Sequence, residues 1–346
     1  MAFAHQVGGH AATILASPLS SSTLIKPASA RELAFYQSVG PTLGDGEFIG
    51  NWTPAFYGTL KLEGKVGTEG KVEKLDTAGD EEGAVEPEML VLENLTHRFL
   101  RPNVLDIKLG TQLFDEDATE EKKERMRKAA ANSTSGEAGV RLTGFQVWDS
   151  SSQSYVQTPK PYGRALTVPE LSSGIARFFY PPLSTPSSAE LAGTVSPPSA
   201  TPSPLPTDLL LPVLRTLVRR LDELDRTLQN LEIRMRGGSL LVVVEGDAAA
   251  LEAALLRAQA SQTSSAAEAE GDEDDAASVS TTDSDGNAAS HTLLPYELRL
   301  IDFAHTRAAP GEGPDEGVLT GLRTTRCLID GLVKKLEELE KYEGAE

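Results

Sequence analysis

The stretch Pro102-Asn-Val-Leu-Asp106-Ile-Lys108-Leu-Gly110 carries an acid and a base two residues apart within an alternating apolar run. As a strand, residues 104–109 put Asp106 and Lys108 on one face, roughly 6–7 Å apart, and Leu105, Ile107 and Leu109 on the other. A carboxylate beside an ammonium can orient a hydroxyl and neutralise a phosphoryl group moving toward it. Almost two hundred residues later, Leu300-Ile-Asp302-Phe-Ala-His305 ends a second apolar run on another carboxylate. That acid can hold the magnesium that bridges the phosphates of a donor nucleotide. Phosphoryl transfer needs little more, because it depends mainly on positioning and electrostatics. Asp106 has two readings: it orients or deprotonates the attacking hydroxyl, or it holds the ribose of ATP.

Other chemistries fail on spacing. Gly58 and Gly64 are separated by five residues, and Val66 stands where a phosphate-binding loop needs Ser or Thr. Gly44-Asp-Gly46 lacks the third glycine of a dinucleotide fingerprint. Five scattered histidines and one cysteine make no zinc constellation. No glycine follows Ser239 at the spacing of a nucleophile elbow.

The elements that must position these groups divide at about residue 97. Residues 1–97 read as a small β-rich lobe, with apolar runs at 12–16, 23–26, 56–62 and 89–93 between Gly and Pro punctuation. Ser29-Ala-Arg-Glu32 is a capping box that opens a helix through about Val39. The charged, Gly-rich stretch 63–88 reads as an excursion between strands. Residues 98–346 form the larger lobe. It begins with the Asp106 strand, a helix over 115–131 and a strand over 139–148, with 112–180 forming an insert and the strands after it. Pro, Ser and Thr dominate 181–206, an expected extended linker. Leu210, Leu214, Leu217, Leu221, Leu224, Leu228 and Leu231 then recur at spacings of four and three, one apolar stripe of a helix packing on its own domain rather than a coiled-coil seam. Strands at 239–245 and 296–301 and a helix over 315–342 follow.

The net charge of −19 argues against nucleic acid as partner. Much of that charge is local: eight acids and no base lie between Glu268 and Asp285. The surrounding 258–292 is expected to be a solvated, disordered loop, suited to binding protein partners. Cys327 is the single cysteine, so a reducing compartment is expected, cytoplasm or nucleus. No leader is expected, since the N-terminal residues lack a charged-then-apolar pattern, and no apolar run approaches membrane-spanning length.

Three of these segments together resemble the hallmarks of the inositol polyphosphate kinase family: Pro102–Gly110, Ser239-Leu240-Leu241 and Ile301-Asp302-Phe303, in the family's order. His5-Gln-Val-Gly-Gly-His10, Ile25-Lys26-Pro27, Glu32-Leu-Ala-Phe-Tyr36, Tyr162-Gly163-Arg164 and 311–318 match as well, so the likeness spans nearly the whole chain. It implies a two-lobed α+β fold like that of protein kinases, with ATP and magnesium between the lobes and a short helical insert for soluble inositol phosphates. Leu113-Phe-Asp-Glu-Asp117 through Lys122 and a compact N-terminus resemble the multikinase branch. An inositol hexakisphosphate kinase, or a partner-recruiting scaffold with a retained site, is the competing expectation.

The resemblance also assigns roles. Lys26 would grip the donor phosphates, and backbone groups of Glu93 and Leu95 would take the adenine. Asp106 and Lys108 would act at the transferring group. Asp302 would hold the metal. Lys122, Arg125, Lys160 and His305 would contact the inositol phosphate. The simpler readings are a turn-capping Asp302, a solvated insert helix stabilised by i,i+4 pairs and a structural His305. Val244, where the family has tyrosine, implies a hydroxyl missing from the site.

Overall fold

The computed structural model describes residues 3–7, 14–18, 20–61, 65–66, 72–73, 88–269 and 294–343. Strands Leu15–Ala16, Thr23–Pro27, Phe56–Lys61 and Glu88–Glu93 form the antiparallel sheet of the small lobe, with Glu88–Glu93 between the second and third. The larger lobe is built on five antiparallel strands in the order Tyr296–Ile301, Ser239–Glu245, Pro102–Leu109, Val140–Asp149, Ser154–Thr158. This is the two-lobed α+β fold expected. The 63–88 excursion lies largely outside the described residues.

The Asp106 strand is central, so both its faces are covered and seven of its eight residues are buried. Pro102 starts it, where the missing N–H does least harm. On one face Leu105, Ile107 and Leu109 join Leu142, Phe145, Leu240, Val242, Leu298 and Leu300 in the main core. Helices Leu171–Phe179, Thr207–Gln229 and Glu316–Glu343 pack over that face. The leucine stripe of Thr207–Gln229 is buried there, against the last helix, as intradomain packing requires. Val244 is also in this core, opposite Tyr296. The expected missing hydroxyl therefore concerns packing beneath the sheet, not the site.

Two segments differ from expectation. Within 181–206, expected to be an extended linker, residues 181–191 are structured, while 192–206 carry no helix or strand and are mostly exposed. A single turn at Pro181–Leu183 and a short helix at Ser188–Leu191 hold Glu190, which takes Arg177 at 2.8 and 2.9 Å. Arg177 in turn lies 4.1 Å over the Tyr162 ring. Buried anchoring of this kind overrides Pro/Ser composition. The alanine-rich helix Ala248–Ala269 runs into the stretch expected to be disordered. Alanine's high helix propensity accounts for it; residues 270–293 lie outside the described set.

Candidate active site

Strand register builds the site on the other face of the large sheet. Arg141, Lys108, Ser239 and Ile301 stand in one row across four strands, and Gly144, Asp106 and Leu241 in the next. The shift from Ile107↔Leu142 to Asp106↔Gly144 leaves Thr143 as a bulge, which re-aims the neighbouring strand beside Asp106 and Lys108. Setting Lys108 directly opposite Arg141 puts like charges side by side, an arrangement that costs stability. Burial, reinforced by Arg141 and Lys160, lowers the Lys108 pKa against the pull of Asp106 and Asp302. The Lys108 ammonium donates to the Gly237 carbonyl at 2.8 Å.

Asp106 is 3% exposed and its Oδ1 has no hydrogen-bond partner among the described residues. Burial first, and Asp302 second, push its pKa up to about 6, against Ser239, Lys108 and Lys160. A buried carboxylate oxygen left unsatisfied is costly and points to a group that arrives with the substrates.

Asp302 follows the strand Tyr296–Ile301 with a φ of 66°, a left-handed conformation that aspartate tolerates better than most side chains. The turn is fixed from behind by Phe303, stacked on Phe35 at 4.0 Å and set edge-on to Tyr36. Those aromatics lie on the small-lobe helix that begins at Ala30, so the Asp302 turn is tied to the other lobe. Lys26 meets Asp302 at 2.6 Å and Glu32 at 2.9 Å. Burial opposes its charge, but the two carboxylates outweigh it and raise its pKa. The capping box is only half formed: Ser29 accepts from the Glu32 N–H at 3.1 Å, while the Glu32 carboxylate turns inward to Lys26. Glu32, 2% exposed, is thus a site residue that its sequence context disguised as a helix cap.

Two cavities meet at the Asp106 strand. The first, of about 250 Å³, lies between the lobes and is lined by Lys26, Glu32, Glu93, Leu95, Asp106 and Asp302, together with apolar Leu24, Leu92, Val104 and Leu241. Phe3, His5, Gln6 and Val7 close one side of it. Gly144 makes this possible, since a Cβ there would come within 2.4 Å of the Val7 carbonyl oxygen. His10, the end of that motif, is outside the described residues. The Glu93 N–H is used by the Ala55 carbonyl at 2.9 Å, which leaves its carbonyl as the group it could offer a base.

The second cavity, of about 660 Å³, opens on the far side and is lined by Lys108, Lys122, Arg141, Arg164, Arg236 and His305, with Asp115 among them. Lys122 enters from the helix Glu120–Ala131, on the same face as Met126 and Ala129. Arg125 is on the flank of that helix, exposed, and does not line the cavity. Lys160, half-buried at the start of the helix Lys160–Ala165, is close enough to act on both Asp106 and Lys108. Arg141 was not picked out from the sequence, because its place opposite Lys108 depends on register. Arg164 belonged to a recognised motif, but nothing in its spacing aimed it at the site. Arg236 is held by Asp315 at 2.7 Å and Glu116 at 2.9 Å.

No group of three or more His, Cys, Asp or Glu able to hold a metal comes together among the described residues. Magnesium commonly takes one or two protein carboxylates and completes its shell with phosphate oxygens and water. Asp302, on the wall of the interlobe cavity, fits that donor set.

Comparison with known proteins bears on the same residues. The model of the family described as inositol polyphosphate kinase matches residues 89–330. An inositol polyphosphate multikinase of Saccharomyces cerevisiae (strain ATCC 204508 / S288c) is 29% identical over 371 aligned positions, covering 95% of this chain and 97% of its own. Inositol hexakisphosphate kinase 3 of Mus musculus is 28% identical over 258 positions, covering 72% of this chain; the chain spans 51% of that relative's length. The crystal structure of the S. cerevisiae inositol phosphate multikinase in complex with ADP and Mn2+ superimposes with a TM-score of 0.58 at 26% identity, over 90% of this chain and 99% of the other. The matched span takes in the strands that carry Asp106, Lys108 and Ser239 and the turn that carries Asp302, and the chain belongs to the inositol polyphosphate kinase family.

Proposed function

We propose that this protein is an ATP-dependent inositol polyphosphate multikinase, carrying inositol 1,4,5-trisphosphate through tetrakisphosphates to the pentakisphosphate. The observation that carries the reading is the pair of cavities, one interlobe and partly apolar, one lined by cations, with Asp106 in the first and its strand neighbour Lys108 in the second. Adenine would lie against Leu24, Leu92 and Leu241 and bond the backbone at Glu93 and Leu95. Lys26, anchored by Glu32, would align the donor phosphates. Asp302 would hold magnesium, which when bound would offset the negative charge of those phosphates.

With a pKa of about 6, Asp106 is mostly ionised at neutral pH and still basic enough to accept the proton of a ring hydroxyl. Lys108 stands beside it to neutralise charge on the transferring group. Lys122, Lys160, Arg141, Arg164 and His305 would fix the phosphates of the acceptor. We also infer an intracellular site of action, on the strength of a single cysteine, and a role for the acidic run around 268–285 in engaging protein partners.

The cationic cavity also favours the multikinase branch over hexakisphosphate kinases. Arg236 is already neutralised by Asp315 and Glu116, so the positive charge available is modest for a fully phosphorylated ring. Incubation with ATP, magnesium and a panel from trisphosphate to hexakisphosphate, with products separated by chromatography, tests the assignment. Transfer to tris- and tetrakisphosphate is expected. Pyrophosphate formed from hexakisphosphate, with trisphosphate untouched, would move the chain to the other branch.

A further inference from the structure

A carboxylate on the wall of a phosphate-binding cavity is out of place unless it is neutralised and used. Asp115 is such a group: it lines the cationic cavity and is 8% exposed. Its two oxygens are divided between the lobes. Oδ1 meets Arg31 Nη1 at 3.2 Å, from the small-lobe helix Ala30–Ala34. Oδ2 meets His305 Nδ1 at 2.6 Å, just beyond the Asp302 turn. Arg31 also reaches Asp117 at 3.0 Å, so the start of the insert is fastened to the small lobe at two points.

We infer that Asp115 is a positioning residue: its carboxylate fixes the His305 ring through Nδ1–H, so that Nε2 faces the cavity, where the imidazolium can donate to a substrate phosphate, and Arg31 links that arrangement to the small lobe. Three features support this. His305 is half-exposed and would rotate freely without an anchor. An imidazole whose Nδ1–H is taken by a carboxylate presents its other nitrogen in one direction, the device that orients histidines in many sites. Arg31 offsets the negative charge that would otherwise repel an anionic substrate. The remaining charged side chains on the same cavity wall are Lys108, Lys122, Arg141, Arg164 and Arg236. The inference rests on the inositol phosphate reading of this cavity, but the Asp115–His305 contact can be tested without it.

A double-mutant cycle is the test, with thermal melts to confirm folding. Asp115→Asn is expected to raise the KM for inositol trisphosphate roughly 5- to 20-fold, as loss of a charge-assisted hydrogen bond would, while the KM for ATP stays within about twofold. In a His305→Ala background the same change should add less than about twofold, because the group it orients is gone. A full Asp115→Asn effect in that background would assign Asp115 a structural role and overturn the inference. Long-range proton–nitrogen NMR gives an independent answer on the unmutated protein, which has five histidines; His305→Ala identifies the signal. A protonated Nδ1 is expected at His305, and a neutral Nε2–H tautomer would overturn the inference even if no inositol phosphate proved to be a substrate.

Discussion

Burial and the nearby Asp302 carry the Asp106 pKa from an ordinary 3.8 to about 6. Between those values the native state keeps a proton that the unfolded chain releases, so this residue's contribution to stability falls as pH rises through the interval and is level above it. At pH 7 the penalty is on the order of 3 kcal/mol. Asp106→Asn should therefore abolish turnover yet raise the melting temperature by a few degrees at pH 7, with the gain vanishing below about pH 4. A mutant that melts lower at pH 7 would show that the buried charge is better compensated than its surroundings suggest. In the wild type, kcat/KM should climb through about pH 6 as Asp106 ionises. It should decline on the alkaline side before the ordinary lysine range, because burial lowers Lys108. A flat acid limb would assign Asp106 to the ribose instead of the proton.

The elements that hold these residues depend on a few contacts across the lobes. Phe303, fully buried and stacked on Phe35, joins the Asp302 turn to the small-lobe helix. Phe303→Ala should cost about 3–5 kcal/mol of stability. It should also lower kcat at temperatures where the mutant remains folded, since a turn at positive φ loses its backing; unchanged kcat would show that the turn holds itself. Much of this framework could be read in advance. The strands Ser239–Glu245 and Tyr296–Ile301 fall where they were expected, and the leucine helix buries the stripe its spacing marked. What escaped depends on contacts remote in sequence. Arg141 became a site residue only through its register against Lys108. Glu32 satisfied a capping pattern, but its carboxylate was drawn to Lys26. The start of the expected linker, 181–191, folds because Glu190 captures Arg177, which composition does not reveal.

For the whole molecule, an acidic chain with a net charge of −19 binds polyanions by gathering its cations on one wall and placing much of its acid elsewhere. Deleting residues 272–290 should leave kcat, both KM values and the melting temperature nearly unchanged, because that composition offers a core little apolar surface. A drop of many degrees on thermal melting would show that the segment packs. The central claim is that nucleotide and inositol phosphate occupy separate cavities that meet at Asp106 and Lys108. The direct measurement is the Michaelis constant for each substrate in Lys122→Ala and Arg141→Ala variants. Loss of one charge-assisted contact should raise the KM for inositol trisphosphate about 10- to 100-fold and leave that for ATP within about twofold. Equal increases for both substrates, or an increase for ATP alone, would contradict the two-cavity account.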